Sequence, residues 1–191
     1  MKSSKPYLMI HEIRDWMFEI PLKDFILTFD DGLYSQYSYW DKLKLIPTEK
    51  LFFISSNIIS VNNTPQSKSF PPCQIAHKKF FETKCLEDYM NLSQIKELLA
   101  DPLTTIGGHS HSHTNISKWG LKEQVAYIRS DTPEMLAWFE EHLGFLPKHF
   151  CFPYNFNNWI YSGLLKTEFN ITSLYGEERQ DIMQYENQIC G

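Results

Sequence analysis

Two stretches of the chain carry side chains that together could do hydrolytic chemistry. In Phe25-Ile-Leu-Thr-Phe-Asp-Asp-Gly32 an apolar run meets two adjacent carboxylates and a glycine. In Thr105-Ile-Gly-Gly-His-Ser-His-Ser-His-Thr114 three histidines fall within five residues. Neutral imidazole is the commonest protein ligand for zinc and similar ions. His109 and His113 are four apart, a spacing that on a helical turn brings both rings to one face. His111 falls on another face and is the weaker candidate. Side chains alternate along a strand, so Asp30 and Asp31 are expected on opposite faces. One could then bind a metal while the other handles a proton. An Asp and two His leave coordination positions open, the pattern of a catalytic rather than a structural site.

These residues need elements to hold them. Strands are expected at Tyr7–Ile10, Phe25–Phe29, Leu51–Ile54, Leu103–Ile106, Phe150–Phe152 and Ile171–Leu174, from short apolar runs bounded by polar turns. Between them, helical patterns are expected at Tyr34–Leu45, His77–Thr83, Gln94–Leu99 (capped by Asn91 or Ser93), Leu121–Leu143 and Trp159–Lys166. In the fourth, Ser130-Asp-Thr-Pro133 should interrupt the helix and start a new segment. Residues 61–73 are polar, carry three prolines and read as a loop, of a length that often forms a lid or wall. Strands alternating with helices argue for a parallel sheet, which places its site at the strands' carboxyl ends. Asp30, Asp31, His109, His113, Tyr154 and Arg179 all fall at such ends. His11 also follows a strand but is read as structural. One domain is expected over residues 1–191.

Composition narrows the classes. A net charge of −5, with no basic stripe, gives no support for nucleic-acid binding. No apolar run approaches membrane-spanning length, so no membrane insertion is expected. The four cysteines, Cys73, Cys85, Cys151 and Cys190, form no Cys-x-x-Cys pair, which argues against a structural zinc knuckle. Cys151 reads as a small buried hydrophobe. Met1–Lys5 is polar and basic, but Tyr7–Ile10 is too short for a secretory core, and a cytoplasmic location is the expectation.

Thr28-Phe-Asp-Asp-Gly32 resembles the first motif of the polysaccharide deacetylases (carbohydrate esterase family four), and His109-Ser-His-Ser-His113 resembles their second. Phe150-Cys-Phe-Pro-Tyr-Asn155 is similar to their third, an aromatic Pro-Tyr-Gly-like segment. The resemblance implies an incomplete (β/α) barrel of parallel strands. It implies that Asp31, His109 and His113 hold one divalent ion, zinc by preference, with cobalt, nickel or manganese acceptable to the same donors. It makes Asp30 the general base and places at Tyr154 a backbone N–H for the oxyanion. The implied reaction removes an acetyl group from an N-acetylated sugar, a nucleotide-linked sugar or an oligosaccharide, as in surface polysaccharide synthesis.

The chain departs from the family pattern twice. No histidine follows His149, so the family's C-terminal proton donor is missing, with His11, His77 and Glu178 as possible substitutes. The third motif lacks its arginine and has Asn155 for the common glycine; Arg179 could enter the site instead. The departures leave two alternatives open: a catalytically weak metal- and carbohydrate-binding relative, or a hydrolase of a different non-peptide amide.

Overall fold

Alternation of side chains along short apolar strands sorts this chain into an inner and an outer layer. The structure, a computed structural model, describes residues 5–189; residues 1–4, with most of the basic start, and Cys190 lie outside it. The strands are β1 (Tyr7–Ile10), β2 (Ile26–Phe29), β3 (Lys50–Ile54), β4 (Thr104–Gly108), β5 (His149–Cys151), β6 (Ser173–Tyr175) and β7 (Gln180–Asp181). They form one parallel sheet in the order β6-β5-β4-β3-β2-β1-β7. β7, which the sequence pattern did not reveal, pairs only two residues with β1.

β6 and β7 are the two edges of this sheet, yet only residues 176–179 separate them in the chain. An extended segment of that length spans at most about 18 Å. The sheet must therefore curl until its edges approach, which makes it the incomplete (β/α) barrel expected. Leu27, Phe29, Phe52, Ile54, Ile106 and Phe150 face outward under the helices. Leu51, Phe53, Cys151 and Tyr175 form the inner cluster, with Tyr7 and Ile26 against it.

The helices are α1 (Tyr34–Ser38), α2 (Trp40–Leu43), α3 (Cys73–Thr83), α4 (Leu92–Leu98), α5 (Leu121–Leu143), α6 (Trp159–Thr167) and a last turn, α7 (Glu186–Ile189). Three differ from expectation. The expected helix at Tyr34–Leu45 is two, because Tyr39 leaves helical geometry at φ −96°, ψ 11°. Polar Ser35 and Gln36 take the buried side of α1. Gln36 Nε2 donates to the carbonyls of Asp30 and His11, at 2.6 and 2.7 Å, and so ties two strand ends together. α3 begins four residues early, which puts His77 in its middle. α5 is one helix of 23 residues that runs through Pro133. The proline gives up its own N–H bond and crowds the carbonyl four residues back, while the buried face of Ile128, Asp131, Thr132, Met135 and Phe139 continues across it in phase. α4 starts at a full capping box of Asn91 and Gln94. Among the described residues no helix is long and apolar enough to cross a membrane.

Gly107 and Gly108 let the histidine-bearing strand sit tightly between its neighbours. A Cβ on Gly107 would lie 2.8 Å from the His149 carbonyl oxygen and from the Phe53 ring; one on Gly108 would meet the flexible Met135 side chain. Gly107→Ala is therefore expected to cost about 1–3 kcal/mol, the usual range for overpacking. Gly163→Ala in α6, where nothing lies within 4 Å, should instead stabilise by roughly 0.5–1 kcal/mol. Urea denaturation of both variants checks the pair.

Candidate active site

Every strand from β1 to β6 delivers a residue to the same mouth. His11 follows β1, Asp30 and Asp31 follow β2, Ser55 follows β3 and His109 follows β4. Tyr154 and Asn155 follow β5, and Arg179 lies between β6 and β7. A cavity of about 180 Å³ there is lined by His11, Asp30, Asp31, His109, His113 and Tyr154, among others. Arg179 bonds the lining residues Asp30 and Asn155, and His77 lines the cavity from α3.

Asp30 continues the inward-facing set Ile26, Thr28, Asp30. Arg179 grips it with two parallel hydrogen bonds, Nη1 to Oδ1 at 2.7 Å and Nη2 to Oδ2 at 2.8 Å, both side chains being buried. Nη2 also donates to Asn155 Oδ1 at 2.9 Å. Arg179 thus occupies the orienting place that lacks an arginine in the third motif. Asn155 explains its own departure: its φ of 53° is a left-handed conformation that asparagine tolerates, and its amide adds a contact that glycine could not. Burial by itself would raise the Asp30 carboxyl, but the Arg179 guanidinium overrides it and holds the group below the usual carboxylate range. Cys151 Sγ lies 3.6 Å from Asp30 Oδ2; burial pushes its thiol well up, so it faces that carboxylate as a protonated donor.

Asp31 does not alternate with Asp30 across the sheet. Its φ is +73° and that of Gly32 +75°, a left-handed pair that turns the second carboxylate into the same cavity as the first. The sequence expectation of opposite faces is corrected accordingly. Oδ1 stands 3.2 Å from His109 Nε2 and 3.0 Å from His113 Nε2, and Oδ2 stands 3.1 Å from His77 Nε2.

His109 and His113 share no helical turn either. They lie in a loop whose Ser110 and His113 are left-handed, at φ 66° and 53°. The loop is held by local bonds. Ser110 Oγ accepts from the His113 N–H at 3.0 Å, and Asp131 of α5 accepts from the His111 and Ser112 N–H groups at 2.7 and 2.9 Å. Ser55 Oγ donates to the His109 carbonyl at 2.7 Å. His111 points away, with Nδ1 2.8 Å from Ser56 Oγ and Nε2 3.2 Å from Glu134.

The donors fit a divalent ion. Asp31 Oδ1 is buried and lacks an aligned hydrogen-bond partner. His109 Nδ1–H donates to the Cys151 carbonyl at 2.8 Å, which leaves the Nε2 lone pair free. Burial brings the His113 imidazole down to about 4 in spite of Asp31, so this ring is neutral at neutral pH. One donor atom from each of Asp31, His109 and His113 lies within 4.8 Å of the others. Two other groupings use Asp30 with Cys151, or Asp31 with Cys73. They are poorer sets, since Asp30 is committed to Arg179 and burial pushes both thiols up, Cys73 to about 12. Asp31 itself is held well below the usual range; burial opposes this, and His113, His109 and His77 outweigh it.

His11, read from the sequence as structural, lines the cavity with Nε2 4.0 Å from Asp30 Oδ2. Glu178 turns back to the Gly176 N–H and is exposed. His77, placed by the sequence at a helix start and named only as a possible proton donor, meets Tyr89 through the fold of residues 61–89.

Residues 20–166 match the family model for polysaccharide deacetylases. The fold is shared with IcaB from Ammonifex degensii, at 18% identity and a TM-score of 0.64 over 93% of this chain and 84% of that one. It is shared with the BpsB deacetylase domain from Bordetella bronchiseptica, at 14% and 0.58 over 82% and 69%. The Streptococcus pyogenes deacetylase PplD, solved in complex with acetate, is similar at 12% and 0.58 over 92% and 91%. No curated protein sequence matches the chain.

Removing one partner of a buried pair strands the other charge, at a cost of about 3–5 kcal/mol. Arg179→Met is expected to lose that much stability near neutral pH. The native Asp30 value lies below the unfolded one of about 3.9, so its contribution is complete above that value and lost as pH falls through the native one. In Arg179→Met burial is opposed only by the weaker effects of His109 and His11, the native value rises, and this acid-side loss should shrink or reverse sign. Denaturation midpoints between pH 3 and pH 8 measure both effects.

Proposed function

This chain belongs to the polysaccharide deacetylase family, and on that premise we propose that it hydrolyses the N-acetyl amide of an amino sugar, carried as a free, nucleotide-linked or oligomeric sugar. The observation that carries the reading is the pair of adjacent carboxylates with separate tasks in one cavity. Asp30 is locked and ionised by Arg179, whereas Asp31 keeps an unsatisfied oxygen beside two imidazole nitrogens.

Asp31, His109 and His113 would hold one divalent ion, zinc by preference. When bound, such an ion polarises an amide carbonyl and acidifies water. Asp30 accepts the proton of the attacking water as its oxygen bonds to the carbonyl carbon. Arg179 keeps that carboxylate deprotonated and oriented until then. The Tyr154 N–H is the donor for the oxyanion. The turn's own bonds run from the Asn155 N–H to the Phe152 carbonyl and from the Phe156 N–H to the Pro153 carbonyl, so they leave it unused. Tyr154 is itself left-handed, at φ 58°. The carbon–nitrogen bond then breaks, and the amine leaves with a proton from His11, the cavity histidine beside Asp30 that no buried partner ties down. The products are acetate and a free amino sugar.

Wild type should carry about one ion per chain and release acetate from N-acetylglucosamine oligomers or a nucleotide-linked N-acetyl sugar. Asp30→Asn should keep the ion and lose about 10²–10⁴-fold in rate, the usual worth of a general base. His11→Gln should lower kcat with metal content unchanged. Wild type that holds its ion and releases no acetate from any N-acylated sugar would falsify the reading.

A further inference from the structure

α3 brings a third histidine to the metal site, and its surroundings determine how that ring can act. His77 Nε2 lies 3.1 Å from Asp31 Oδ2, and the side chain is 12% exposed. Its Nδ1 lies 2.9 Å from the hydroxyl of Tyr89, which is fully buried. Among the described residues that hydroxyl has no other hydrogen-bond partner, so its proton must go to Nδ1. Burial, followed by the charges of Asp31 and Asp88, raises the Tyr89 phenol far above its ordinary range, which keeps that proton in place. With Nδ1 accepting, Nε2 carries the ring's hydrogen and faces Asp31.

The same geometry excludes His77 as a ligand. Its ring stacks on His113 with centroids 4.3 Å apart and planes within 20°. In-plane nitrogens of near-parallel rings point side by side and cannot meet at one ion about 2.0–2.1 Å from each. His109 and His113, inclined at 48°, can converge. In this structure Nε2–H is close to Oδ2 but is not aligned as a hydrogen bond. Commitment of Oδ1 to an ion leaves Oδ2 as the acceptor for it. Cys73, Ala76 and Phe80 of α3 pack with Tyr89, Leu33 and Ile58 in a small separate core, which seats the ring.

We propose that His77 is a positioning residue of the metal centre: Tyr89 sets its tautomer, and its Nε2–H holds Oδ2 of Asp31 so that Oδ1 alone faces the ion. This rests on Asp31, His109 and His113 being the ligands. Carboxylate-orienting partners of this kind are worth roughly 10–100-fold in metal affinity.

The experiment is competition of zinc and cobalt against a chelating dye for wild type, His77→Phe, His77→Gln and Tyr89→Phe. His77→Phe keeps the stacking and removes the donor. It should bind one ion with about 10–100-fold lower affinity and leave the cobalt d–d spectrum at the wild-type coordination number. Tyr89→Phe should weaken binding less, and His77→Gln, which restores an N–H, should recover part of the loss. Unchanged affinity in His77→Phe overturns the proposal. So does a cobalt spectrum showing one ligand fewer, which would make His77 a ligand. If His77→Phe does not fold, unchanged affinity in Tyr89→Phe overturns it equally. A wild type that takes up no ion refutes the ligand set itself and this proposal with it, an outcome distinct from all the others.

Discussion

Asp30 and Arg179 stand 149 residues apart in the chain and meet through two hydrogen bonds inside the barrel mouth. Moving each charge out of water costs several kcal/mol, and only the complete, hydrogen-bonded pair offsets that. The pair therefore constrains far more than two side chains. It requires β6 to end where it does and residues 176–179 to cross the mouth. The chain then continues into β7 against β1 on the far edge. Arg179 lies 6.0 Å from the Phe53 ring, so the guanidinium also caps the inner apolar layer. Closure of the barrel and the pairing of Asp30 with Arg179 are coupled.

A second constraint is backbone strain. Asp31, Ser110, His113, Tyr154 and Asn155 all adopt positive φ without being glycine. Such conformations cost of order 1–3 kcal/mol each and persist where the surroundings over-determine them. Here the surroundings are explicit. Asp131 pins the histidine loop from α5, Ser55 pins it from β3, and Gln36 binds the carbonyls behind Asp30 and His11. Each of these polar side chains is buried and bonds the site's backbone, and Asp131 also accepts from the Ser112 hydroxyl. Their conformational work explains why α1 buries Ser35 and Gln36 in place of its tyrosines.

Residues 61–89 add a wall that the barrel does not need for closure. The wall packs around a small separate core and brings Cys73, Gln74 and His77 to the cavity. Beside it runs a wider groove of about 580 Å³, bordered by Trp16, Glu12 and Glu186, which shares His11 with the cavity.

Six of the seven strands, their parallel pairing and the placing of the candidate residues at their carboxyl ends were legible in sequence, because apolar runs of four or five residues and the glycines after them are local signals. Asp30, Asp31, His109, His113 and Tyr154 could be singled out for the same reason, since each belongs to a short stretch of unusual composition. Their geometry was not legible. The four-residue spacing of the histidines read as a helical turn, whereas a left-handed loop brings them together. The adjacent aspartates read as alternating, whereas φ +73° at Asp31 turns both inward. Pro133 read as a break, because a local signal cannot weigh one lost hydrogen bond against a continuous buried face. The sequence alone determined which groups are available for chemistry and roughly where along each strand they fall. Only the tertiary structure decided that Arg179 binds Asp30, that His11 joins the cavity and that His77 reaches Asp31. Those contacts depend on the curl of the sheet and the seating of α3, which are summed over many weak packing interactions and written in no single segment.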